Sequence, residues 1–205
     1  SFVDSLATGL RFVLRQKVVL GALTLDLFSV LFGGAVALLP VFAAEILHVG
    51  PQGLGVLRAA PAVGAVLMSL VLAHRPPLRR AGRTLLVSVA LFGLCMIGFG
   101  LSRDFLLSTA LLALSGMADT VSVVVRSTLL QVMTPDHLLG RVASVNAIFI
   151  GSSNELGAFE SGTAARLIGT VPSVVFGGIA TLLVVGIIAL KVPPLRRLRE
   201  IQPAA

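Results

Sequence analysis

Apolar residues run almost unbroken through six stretches of this chain, Val18–Ile46, Gly53–Ala73, Thr84–Leu101, Phe105–Met133, Val142–Ile168 and Val171–Leu190, with short polar or basic segments between them. A helix needs about 20 apolar residues to cross a hydrocarbon core. Hydrocarbon offers no partner to a free backbone N–H or C=O, so each stretch must be helical. The pattern predicts an all-α integral membrane protein with six transmembrane helices. Residues 1–17 follow a different rule. Phe2, Leu6, Leu10, Val13 and Leu14 recur at helical spacing, and Asp4, Thr8, Arg11 and Arg15 take the other side. That is an amphipathic interfacial helix or the tail of a linker, with the ragged start of the first span as the alternative. The expected division is 1–17 interfacial helix, 18–190 transmembrane bundle and 191–205 basic tail. A first residue Ser and the lack of a signal-peptide pattern suggest a fragment or a processed chain.

Composition agrees with a membrane solvent. Of 205 residues, 56% are hydrophobic and 12% charged, too little charge to clothe a soluble surface. The net charge of +7 invites a nucleic-acid reading, but there is no Trp or Tyr to interleave with the basic residues, which gather in loops and tails. Arg11, Arg15 and Lys17, then Arg75, Arg79, Arg80 and Arg83, then Arg141, then Lys191, Arg196, Arg197 and Arg199 fall on one side, against Arg103 and Arg166 on the other. The positive-inside rule then puts both termini and the Arg75–Arg83 loop in the cytoplasm. A single cysteine, Cys95, rules out a disulfide framework within the chain.

Ionisable residues inside spans are costly and face a bundle interior or a wet cavity. Here they are Asp26, Arg58, Asp119, Arg126, Glu155 and Glu160. Spans one and four carry Asp26 and Asp119 with Arg126; spans two and five carry Arg58 and Glu155 with Glu160; spans three and six carry none. The charge pattern of the first three helices repeats in the second three with opposite direction, as an inverted 3+3 repeat would. The uncharged third members are expected to face lipid.

At about 1.5 Å per residue, Asp26 and Arg126 lie at similar depths, roughly 12 and 10 Å from one side. Arg58 and Glu160 lie roughly 8 and 12 Å from the other. Asp119 precedes Arg126 by two helical turns and falls near the midplane, where a substrate or proton site would sit. Glu155 has no partner at its level and is a candidate for reversible protonation. Each has a plainer alternative: snorkelling for Arg58, a structural pair for Asp26–Arg126, interhelical hydrogen bonding for Asp119, Asn146, Gln131 and Asn154. Gly33–Gly34 and Pro40 predict a bend in the first span. Neither lysine follows the glycine of a P-loop, His48, His74 and His137 have no ligand spacing, and Cys95 has no adjacent base. No enzyme, metal or cofactor is expected.

The run RSTLLQVMTPDHLLGRVASVNAIFIGSSNELGAFESG (Arg126–Gly162) resembles the span-ten to span-eleven region of the major facilitator superfamily, and most of all its enterobactin (siderophore) exporter-like branch. LAHRPPLRRAGRTLLVSVALFG (Leu72–Gly93) stands where that superfamily repeats a basic loop, with His74 at a position that usually holds an acid. The resemblance covers nearly the whole chain but only the second six of about twelve spans. It implies the C-terminal half of a secondary active, proton-coupled exporter of a siderophore or other small organic molecule in the bacterial cytoplasmic membrane. The expected partners are the bilayer, an N-terminal six-span half or a second copy, the substrate and protons. Asp119, Asn154, Glu155 and Asp26 would serve the substrate and proton pathway, Arg126 with Asp26 an inner gate, and Arg58 with Glu160 an outer one. The alternative is a non-transporting membrane module, either a truncated remnant or a helical assembly partner.

Overall fold

In the computed structural model of the chain, Gln16 leaves helical geometry (φ −91°, ψ 94°) and separates a first helix, α1 (Phe2–Arg15), from the first long one, α2 (Lys17–Phe32). The structure describes residues 2–33, 35–74 and 80–198, and only the backbone of residues 2–6. Gly34, Arg75, Arg79, Arg199 and the side chains of Phe2, Asp4 and Leu6 therefore lie outside the described residues. α1 is a distinct helix and not the start of α2. It rests on the chain around Arg141 and Val145 through Gly9 and the buried Val13, with Arg11 and Arg15 exposed.

The expected bend in the first span is a true break. The Gly33 N–H donates to the Ser29 carbonyl (2.8 Å), and a new helix, α3 (Ala35–Val41), begins beyond it. Pro40 has no N–H for the helical ladder, and a wider π-helical turn, Phe42–Ile46, follows at once. His48 adopts a left-handed conformation (φ 51°) before α4 (Gly50–Ala73), and its Nδ1–H donates to the Ala44 carbonyl (3.0 Å). α5 (Ala81–Leu101) and α6 (Phe105–Met133) are joined by a three-residue link, Ser102 to Asp104. Asp104 Oδ1 accepts from the Leu107 N–H (2.7 Å), and Ser108 Oγ donates to Ser102 Oγ (3.0 Å), so the start of α6 is capped and tied to the link. A 3₁₀ turn, Asp136–Leu138, leads into α7 (Leu139–Ile168). Gly169 at φ 93° ends α7 as only glycine readily can, and α8 (Thr170–Lys191) and a short α9 (Pro193–Arg197) complete the chain.

Among the described residues every regular element is helical. Five helices are long and apolar enough to cross a membrane: Lys17–Ile46, Gly50–Ala73, Ala81–Leu101, Phe105–Met133 and Thr170–Lys191. The fifth expected span, Val142–Ile168, coincides with α7, which is long but falls outside that set. Its Arg141, Asn146, Asn154, Glu155, Glu160 and Arg166 dilute its apolar character.

α4 packs on α6, α6 on α5, α5 on α8, and α2 on both α7 and α8. The α4–α6 contact is made backbone to backbone. A Cβ on Gly64 would overlap the Ala113 carbonyl, and one on Gly116 would overlap the Pro61 carbonyl. Gly157 and Gly177 let α7 and α8 approach the end of α2 in the same way. Apolar packing gathers at the two ends of the bundle, around Leu39, Phe42, Leu57, Phe99 and Leu112 at one and Leu25, Leu85, Val89, Leu129 and Leu195 at the other. α5, uncharged beyond Arg83, does not simply face lipid. Half of its apolar window (50%) is buried, against 17% for α4, because it lies between α6 and α8.

Gly116→Val is expected to destabilise the protein by about 1–3 kcal/mol or more, because neither backbone can yield. Gly55→Val, where a Cβ meets nothing, should leave the thermal unfolding midpoint nearly unchanged. Thermal unfolding of the two purified variants side by side checks this.

Candidate functional site

Where α2 breaks at Gly33, the first span ceases to fill its share of the bundle and a cavity of about 440 Å³ opens. Its walls come from both segments of the first span (Ser29, Gly33, Val36), from α4 at Pro61, from α5 (Phe92, Met96), from α6 (Leu112, Ser115, Asp119) and from α7 (Asn154, Ala158). The lining is mostly apolar with a few polar groups, the usual make-up of a small-molecule site, and its size falls in the range such sites occupy. Asp119 is the only ionisable residue among the described lining residues. Asn154 donates from Nδ2 to the Ile150 carbonyl one turn back (3.0 Å), which leaves its Oδ1 as the side chain's acceptor.

Two turns along α6 from Asp119, Arg126 Nη1 donates to Asp26 Oδ1 across to α2. Both side chains are buried, with 4% and 7% of their surface exposed. Ser29, on the next turn of α2, lines the cavity and donates from Oγ to the Asp26 carbonyl (3.0 Å). α6 thus carries the cavity carboxylate and the buried guanidinium on one face, and Arg126 holds α6 to α2 just below the cavity.

The remaining expected site residues lie elsewhere. Arg58 is exposed on α4 and Glu160 is half-buried on α7, where its Oε2 accepts from Ser161 Oγ (3.4 Å). Among the described residues the two form no ion pair, and their helices are not packing neighbours. Equal depth does not bring together side chains that point from different helices in different directions, so the expected outer pair is absent from this conformation. Glu155 follows Asn154 but is exposed outside the cavity lining. Of the expected basic loop, Arg80 and Arg83 are exposed at the start of α5, and Arg75 and Arg79 are outside the described residues. His74 Nδ1–H donates to the Leu70 carbonyl (2.8 Å) at the end of α4. Sequence reasoning missed Phe92 and Met96, which line the cavity from the span expected to face lipid, and the hydroxyls of Ser29 and Ser115. None of these residue types stands out inside an apolar run.

A family model for the transmembrane secretion effectors matches residues 1–204. The chain belongs to this family of major facilitator transporters. Among curated proteins it is 28% identical over 201 residues to the enterobactin exporter EntS of Shigella flexneri, covering 98% of this chain and 47% of the relative. The EntS proteins of Citrobacter koseri and Escherichia coli O1:K1 match to the same extent, 28% over 201 residues, with 48% of each relative covered. The chain thus spans about half the length of the curated relatives it matches. No solved structure matches it significantly. Family and relatives are transporters, and the apolar helices make this a multi-pass membrane protein.

Removing one partner of the buried pair strands a charge, at a cost of about 3–5 kcal/mol. Asp26→Asn and Arg126→Gln should each lower the thermal stability of the protein markedly, and Asp26→Leu combined with Arg126→Met should recover much of the loss. The coupling energy from the corresponding double-mutant cycle measures the pair. By the same logic, combining Arg58→Glu with Glu160→Arg should restore no more transport than the better single change.

Proposed function

We propose that these residues form the C-terminal six-span half of a proton-coupled secondary transporter that exports a siderophore or comparable small organic molecule across the bacterial cytoplasmic membrane. The observation that carries the proposal is the cavity at the Gly33 break, mostly apolar, with one carboxylate, Asp119, in its described lining. A single carboxylate in a mostly apolar cavity can bind and release a proton, and the apolar walls suit an organic substrate. The chain's span of about half its relatives supports the half-transporter reading, with an N-terminal half or a second copy closing the cavity.

α7 serves as the fifth of six spans. At 30 residues it is about 45 Å long, more than a hydrocarbon core requires. The packing supports an inverted 3+3 repeat. Exchange of the first three spans with the second three turns the α4–α6 contact into α7–α2, turns α5–α6 into α8–α2, and leaves α5–α8 unchanged, and all of these contacts exist. Arg126 and Asp26 act as the inner gate or its structural support. Asn154 contacts substrate, and Glu155 and Glu160 face the partner half. Both termini and the basic loop lie in the cytoplasm, because Arg11, Arg15, Arg80, Arg83, Arg141, Arg196 and Arg197 all belong to one end of the bundle.

The test is export by the full-length protein in everted membrane vesicles under an imposed pH gradient. Asp119→Asn is expected to abolish gradient-driven movement while leaving stability intact, and Asp119→Glu to retain part of it. Wild-type export that ignores the gradient, or an Asp119→Asn variant that still follows it, overturns the coupling role.

A further inference from the structure

We infer that the pocket between the start of α5 and α9 binds the phosphate headgroup of an anionic phospholipid. The pocket has a volume of about 490 Å³ and is lined by Arg80, Arg83, Arg196, Arg197 and Leu198. Two basic pairs more than a hundred residues apart in sequence meet there because α9 folds back onto α5. Leu195 is fully buried beside Ala81 and Leu85, and its carbonyl lies over Gly82, where any side chain would collide with it. The Gly82 N–H then donates to the Leu198 carbonyl (3.4 Å). This docking is made by backbone and apolar groups, yet it gathers four guanidinium groups around one hollow. No acidic residue is among the described lining. Like charges so arranged repel one another, and a phosphate relieves the repulsion. Its oxygens match the guanidinium fork, which donates paired hydrogen bonds.

The pocket's position favours a lipid over a soluble anion. Ala81 begins one span and Lys191 ends another, so the pocket sits at the level where headgroup phosphates lie. Below Arg83 on the same face of α5, Val87 (65% exposed) and Leu94 (54%) offer an apolar strip along which acyl chains can lie. The inference needs only that α5 and α8 cross the membrane, and it stands apart from the transport reading.

The experiment uses the full-length protein purified from vesicles of phosphatidylcholine with phosphatidylglycerol or cardiolipin, with retained lipid measured by native mass spectrometry. Wild type is expected to retain the anionic lipid selectively. Arg80→Gln with Arg83→Gln, and separately Arg196→Gln with Arg197→Gln, should each reduce that selectivity about tenfold or more. Arg103→Gln with Arg166→Gln, at the other end of the bundle, should not change it. If a double variant fails to fold by thermal unfolding, Arg197→Gln alone should give a reduction of about fivefold. No preference for anionic lipid, or a preference indifferent to these arginines, overturns the inference. So does saturable binding of inorganic phosphate, without lipid retention, that the same variants abolish. A third overturning result concerns Glu200, which lies outside the described residues: if Glu200→Gln destabilises the fold as the arginine variants do while no anionic lipid is retained, the pocket is an internal ion-pair site.

Discussion

Hydrocarbon gives one apolar helix no reason to prefer a particular neighbour, because lipid tails wet its surface as well as another helix does. Selection in this bundle therefore rests on the few places where helices do what lipid cannot. At Gly64 and Gly116 two backbones touch with no side chain between them, a closeness acyl chains cannot imitate. At Asp26 and Arg126 two charges that would each be intolerable alone neutralise one another between α2 and α6. These two contacts fix α6 against the helices on either side. The cavity exists because α6 is held there while α2 stops short at Gly33.

The cavity and the ion pair form one electrostatic unit. Asp119, Arg126 and Asp26 are carried on two helices, with Ser29 touching both the cavity and the Asp26 backbone. A change of charge at Asp119 is felt by Arg126 two turns away, because at a given distance charges interact more strongly in a buried setting than in water. Any rearrangement that freed Arg126 from Asp26 would offer the guanidinium to Asp119 instead.

Much of this was legible in the sequence. The limits Phe105–Met133 follow directly from the apolar run and its flanking polar residues, as does the end of the first span at Ile46. Depth along a helix is a matter of counting, and counting placed Asp26 level with Arg126. Rotation about a helix is not. Arg58 and Glu160 share a depth but sit on helices that pack elsewhere, and only the packing of α4 on α6 and of α7 on α2 reveals it. The lipid-facing expectation for α5 was incomplete for a related reason: absence of charge is compatible with either lipid or a protein interior, and Gly93 and Gly178 draw one face of α5 to α8 while Val87 and Leu94 on another stay exposed. α7 shows the converse, a helix whose polar residues lower its apolar character without shortening it.

The docking of α9 has a mechanical consequence. Leu195 pins the end of α8 to the start of α5, and these two helices already meet along their lengths. Three segments drawn from both triplets are thereby latched into one strut that resists internal sliding. Compliance must then be found elsewhere, at the Gly33 break, at the π-helical turn after Pro40 and at Pro61 within α4, all of which border the cavity or adjoin a segment that does. The bundle is latched at the end where α9 docks and jointed around the cavity, so strain applied at either end collects where a bound molecule would sit.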